Sequence, residues 1–110
     1  MSNLILFSST HRRGLQRGDK MKVRFYATLR ELTNAVEIDL VCGGEAKVRD
    51  VVALLVKRFG DAFAKEVFNE DGSLRVKILF NGRDIDFLKK LETEVSDKDT
   101  LHLFPPIGGG

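Results

Sequence analysis

A chain of 110 residues, 43% apolar and 31% charged, has the length and balance of one soluble globular domain built on a single core. No apolar run is long enough to span a bilayer. The opening Leu4-Ile5-Leu6-Phe7 is short and lacks the charged stretch that precedes a secretory signal, so a cytoplasmic location and no membrane partner are expected. The net charge of +2 belongs to residues 1–20, where Arg12, Arg13, Arg17 and Lys20 meet one acid. The remaining 14 bases against 15 acids give no basic face for nucleic acid.

Residues 1–20 show no sustained period and mix Ser8, Ser9, Thr10, Gly14 and Gly18 with charges, so they read as a flexible basic leader. Met21 opens a strongly patterned segment. The change there fits either a genuine basic tail or an upstream extension of a reading frame that begins at Met21.

From Lys22 to Thr28, Val23, Phe25 and Ala27 alternate with Lys22, Arg24 and Tyr26, as a half-buried strand requires. An irregular link over Leu29 to Asn34 follows. A second strand then places Val36, Ile38 and Leu40 on one side and Glu37 and Asp39 on the other, antiparallel to the first.

Cys42-Gly43-Gly44 breaks that strand. Val48, Val51, Val52, Leu55 and Phe59 recur at three- and four-residue steps, one face of a helix that Gly60 stops. A shorter helix over Asp61 to Phe68 would bury Ala62, Phe63 and Val67 before Asn69-Glu70-Asp71-Gly72 turns the chain.

Val76, Ile78 and Phe80 alternate with Arg75, Lys77 and Leu79. Asn81-Gly82 then predicts a tight hairpin toward Arg83-Asp84-Ile85, because both central positions of that turn need positive φ. Ser96-Asp97-Lys98-Asp99 is a polar turn, and Thr100 to Phe104 is a last strand with Leu101 and Leu103 inward and His102 and Phe104 outward. The order ββα, a second short helix, then ββ predicts an α+β fold in which one main helix packs on one face of a mixed sheet, a pattern that fits a β-grasp.

Beyond Phe104 the chain reads Pro105-Pro106-Ile107-Gly108-Gly109-Gly110. Prolines forbid further helix and favour an extended exit, and three residues without a Cβ make a slender terminus suited to a narrow pocket.

Three segments in this order resemble the MoaD/ThiS family of ubiquitin-like sulfur carriers, with archaeal small modifier proteins as close relatives. They are Met21-Lys22-Val23-Arg24-Phe25-Tyr26-Ala27-Thr28-Leu29-Arg30-Glu31-Leu32, Ile78-Leu79-Phe80-Asn81-Gly82-Arg83-Asp84-Ile85, and Leu101 through Gly110. The resemblance covers residues 21–110 as one domain with an extended tail over 105–110. The departures are the leader, an insertion-like stretch from Phe63 to Leu74, and a third terminal glycine where such families end in a pair.

The resemblance implies that the working group is the carboxylate of Gly110, with Gly108 and Gly109 threading a partner's pocket. An E1-like adenylating enzyme would spend ATP to make an acyl-adenylate, and a sulfur donor would convert it to a thiocarboxylate. The chain itself would bind no cofactor and would be a carrier rather than an enzyme. The long linking stretch and the Phe-Pro-Pro ending favour the small subunit of molybdopterin synthase, with the large subunit as partner. The alternatives are a protein modifier joined through Gly110 to lysines of target proteins, or an inert docking module.

If the strands pair as inferred, Tyr26, Leu79, His102 and Phe104 project together from the face away from the helix, with Lys22, Arg24 and Lys77 around them. Such a basic-rimmed patch, continued by Pro105, Pro106 and Ile107, suits a partner surface. Other groups carry no chemistry of their own. Cys42 lacks a resolving thiol and, without clustered histidines, anchors neither a disulfide nor zinc. His102 and His11 lack a catalytic partner at telling spacing, and Asp97 and Asp99 read as a solvated turn.

Overall fold

The computed structural model describes residues 20–42 and 45–106, together with the backbone of 4–6. A six-stranded mixed sheet in the order β1 (Leu4–Leu6), β3 (Glu37–Val41), β2 (Met21–Phe25), β8 (Thr100–Phe104), β5 (Lys77–Phe80), β6 (Arg83–Asp84) carries the helices on one face, which bears out the α+β expectation. A separate two-stranded ladder pairs β4 (Ala46–Lys47) with β7 (Glu94–Val95).

Strand β2 (Met21–Phe25) lies near the middle, antiparallel to β3 (Glu37–Val41) and parallel to β8 (Thr100–Phe104). Its inward residues Met21, Val23 and Phe25 are fully buried, as are Leu40, Leu101 and Leu103 on its neighbours. Apolar side chains of this size each contribute roughly 1.5–3 kcal/mol when removed from water, so this alternation holds the register.

The first strand stops two residues before the alternation does. Ala27 takes φ 53° and ψ −127°, which turns the chain off the sheet, and both Ala27 and Thr28 are exposed. The link expected to be irregular is instead helix α1 (Thr28–Thr33). Leu29 fills the core, the Thr33 hydroxyl donates to the Leu29 carbonyl at 2.8 Å, and left-handed Asn34 (φ 57°) closes the helix. Six residues are too few to display a helical period.

Val36, expected in the core, is 47% exposed because β3 begins only at Glu37. Strand β4 (Ala46–Lys47) leads into α2 (Val48–Phe59), the main helix, with the bounds its spacing predicts. Asp50 accepts the Lys47 N–H at 2.9 Å and so caps its start. Val48, Val51, Val52 and Leu55 are buried against the sheet, and Phe59 meets Phe25 edge to face at 5.8 Å.

Gly60, at φ 90°, allows α3 (Asp61–Val67) to follow at once. Phe63 and Val67 are buried there, whereas Ala62 faces solvent. Strands β5 (Lys77–Phe80) and β6 (Arg83–Asp84) form the expected hairpin, with Asn81 at φ 50° and Gly82 at φ 90°. Two single turns of 3-10 helix, Ile85–Phe87 and Lys90–Glu92, then carry the chain to β7 (Glu94–Val95).

Two further features depart from the sequence reading. Strand β1 (Leu4–Leu6) lies within the leader and pairs parallel to β3, since a short extended run can join an existing edge without any period of its own. Asp97 is not solvated: it is 3% exposed, and its carboxylate accepts the backbone N–H of Cys42, tying the turn before β8 to the end of β3.

Candidate partner-binding face and tail root

Register on the outer face of the sheet decides which residues meet. Arg24 on β2 lies opposite His102 on β8, His102 opposite Leu79 on β5, and Lys77 opposite Phe104. Side chains on one face therefore form a continuous row from Arg24 to Leu79, with Phe104 in the next rung. Tyr26, just past the end of β2, folds back over this row and stacks on Phe104, their ring centroids 4.2 Å apart and their planes 11° from parallel.

The Tyr26 hydroxyl lies 2.8 Å from His102 Nδ1 and accepts from Arg24 Nε at 3.3 Å. The imidazole tautomer decides which of the two donates across that contact. The Arg30 guanidinium sits 5.5 Å from the Tyr26 ring centre while its Nε donates to the Phe25 carbonyl at 3.0 Å. Tyr26, His102, Phe104 and Leu79 are all half-buried, so the expected cluster is assembled and held in one arrangement.

The rim differs from expectation. Lys22 lies 3.3 Å from Asp39 and 3.6 Å from Glu37, Arg24 donates to Glu37 at 3.0 Å, and Lys77 meets Asp84 at 2.5 Å. Hydrogen bonding and the charge of Asp39, joined by Glu37, raise the Lys22 pKa; Lys77, hydrogen-bonded to Asp84, lies above its ordinary value and Asp84 below its own. The patch is an aromatic surface with a paired, nearly neutral rim. Sequence reading missed this because the acids reside on other strands.

Pro105 and Pro106 leave the end of β8 beside a groove of about 600 Å³ lined by Leu74, Val76, Leu79, Ile85, Phe104 and Pro106, among others. Sequence reading missed the groove, and also Phe87, 86% exposed in the turn after β6. Only the departure of Phe87 from any strand period could have marked it. Ile107, Gly108, Gly109 and Gly110 lie outside the described residues. Among the described residues, no three His, Cys, Asp or Glu side chains gather as a metal site would require, and no helix is long and apolar enough to cross a membrane.

A mixed sheet grasping one long helix, with a proline-led terminus leaving a central strand, defines a ubiquitin-like β-grasp protein. The ThiS family model matches residues 23–110, and the chain belongs to that family of ubiquitin-like sulfur carriers and modifiers. Small archaeal modifier protein 3 of Haloferax volcanii is 33% identical over 93 residues, spanning 83% of this chain and 99% of the relative. A protein from Archaeoglobus fulgidus described as a sulfur carrier is 32% identical over 92 residues, 82% of this chain and 98% of its own length. A solved structure described as molybdopterin converting factor subunit 1, from Pyrococcus furiosus, superposes with a TM-score of 0.65 at 33% identity, covering 80% of this chain and 98% of that one.

Proposed function

We propose that this chain carries sulfur as a thiocarboxylate on Gly110, as the small subunit of a molybdopterin synthase working in the cytoplasm. The supporting observation is the placement of the tail root. Pro105 and Pro106 emerge from a central strand beside the Tyr26–Phe104 stack, so a partner that docks on the aromatic face has the tail within reach.

In this reading an E1-like partner binds the outer face and receives Gly108, Gly109 and Gly110 in a narrow pocket. The Gly110 carboxylate attacks the α-phosphorus of ATP and pyrophosphate leaves, giving an acyl-adenylate. A sulfur donor then displaces AMP, and the large synthase subunit takes the sulfur from the thiocarboxylate. The chain contributes the acyl group and the docking face; the partner supplies ATP binding and catalysis. Similarity to the Pyrococcus furiosus protein favours the molybdopterin branch.

The relation to a small archaeal modifier protein favours a second reading, in which the same activated Gly110 is attacked by a lysine amine of a target protein and forms an isopeptide. Intact-mass measurement separates the readings. Incubation with ATP, a cognate adenylating enzyme and a sulfur donor is expected to exchange one oxygen for sulfur, and removal of Gly109 and Gly110 to abolish the change. Higher-mass adducts on other proteins, without the exchange, would favour the modifier. No change with an enzyme active on another carrier would leave a docking module.

A further inference from the structure

Strand β1 shows what the outer edge of β3 accepts. Leu4, Ile5 and Leu6 run parallel to β3, opposite Asp39, Leu40 and Val41. In the sheet order, β3 would be the terminal strand without them, presenting five residues of backbone, whereas β6 at the other end has two. An edge of that length offers a row of donors and acceptors to any extended chain of suitable pattern.

Three observations mark the present occupant as replaceable. First, the ladder has three residues and is parallel, the less stable pairing per residue. Second, among the described residues β1 pairs with β3 alone, and fourteen residues separate Leu6 from Met21 in the sequence. Leu6 lies opposite Val41 and Met21 opposite Leu40, so the two residues stand at the same end of the sheet with one strand between them. That separation is about 10 Å, whereas fourteen residues of any chain can reach about 45 Å. Third, β1 lies outside the unit shared with the family, whose match begins at residue 23, while the Haloferax volcanii relative is spanned over 99% of its length by 83% of this chain. Within the matched residues of this chain, β3 is therefore the last strand on that side of the sheet, and β1 lies beyond them.

We propose that the outer edge of β3 is a strand-accepting site for an extended segment of a protein partner bearing consecutive aliphatic residues, and that Leu4–Leu6 is a built-in competitor filling it in cis. The segment in place defines the chemistry: backbone pairing along Asp39–Val41, read in the parallel direction, by a Leu-Ile-Leu run. A longer partner strand would also pair with Glu37 and Ile38, which lie beyond the register of Leu4–Leu6. Because β2 stands between β3 and β8, a partner on this edge leaves the Pro105–Pro106 exit open.

The test uses the full-length chain carrying Leu4→Pro and Ile5→Pro. Backbone N–H groups alternate sides along a strand, so two adjacent prolines remove the donor that faces β3 whichever residue holds it. Amide hydrogen exchange followed by NMR is expected to show the β3 amides that point away from β2 losing protection about tenfold or more in the variant, while amides of β2 and β8 keep theirs and report an intact fold. A peptide with the sequence of residues 1–10 is expected to restore that protection in the variant and to bind the parent chain at least about tenfold more weakly, because the tethered copy competes. Equal β3 exchange in both proteins would overturn the proposal, as would a peptide that binds neither, or both alike.

Discussion

The two faces of β8 carry opposite kinds of residue in one five-residue strand. Leu101 and Leu103 are fully buried beneath the helices, whereas His102 and Phe104, one residue away in each case, are half-buried on the outer face. The inner pair gives its energy to the fold. The outer pair is ordered by Tyr26, which stacks on one and hydrogen-bonds the other, so the outer face is organised without being covered. A sheet with all strands sandwiched would bury both sides; here the uncovered side is available for a partner.

The largest effect should come from the inner side. Leu103→Ala is expected to lower unfolding free energy in urea by about 2–5 kcal/mol, the range for truncating a fully buried aliphatic side chain in a packed core. Phe104→Ala should behave differently. It removes an aromatic stack of about 0.5–1.5 kcal/mol together with a half-buried ring, so stability should fall less than for Leu103→Ala. Sulfur loading at Gly110, measured by intact mass with the adenylating partner, should nevertheless slow markedly. If Phe104→Ala instead unfolds the chain as readily as Leu103→Ala and loads at the parent rate, the outer face is structural and the contrast collapses.

The same contrast explains what the sequence made legible. Alternation located Val23, Phe25, Ile38, Leu40, Leu101 and Leu103, and the three-and-four spacing bounded α2, because each burial period repeats along its own element. Tyr26, Leu79, His102 and Phe104 were legible as one face for the same reason. Features set by long-range pairing were not legible. The Lys22, Arg24 and Lys77 side chains are met by acids of other strands, buried Asp97 accepts the Cys42 backbone N–H from 55 residues away, and β4 and β7 have two residues each. Nor does a period announce α1, whose boundaries depend on the positive-φ backbone of Ala27 and Asn34.

The smallest effect concerns the rim and isolates one ion pair beside the tail root. Asp84 is held below the ordinary carboxylate value of 3.8, first by its hydrogen bond to Lys77 and next by the backbone N–H of Asp86, 2.9 Å from its Oδ1. A depressed carboxylate stabilises the fold fully above its unfolded value and loses that contribution as pH falls through the lower folded value. The hairpin of β5 and β6 should therefore keep the full stabilisation from Asp84 near neutrality and lose it only in acid below about 3.8, as the carboxylate protonates. In a carboxyl-carbon NMR titration, Lys77→Met should move the Asp84 midpoint upward without bringing it all the way to 3.8, because the Asp86 amide continues to donate. A midpoint that stays put would assign the depression to the turn backbone alone. Lys77 would then be available to a partner's acid at the mouth of the groove, and the rim would be basic there after all.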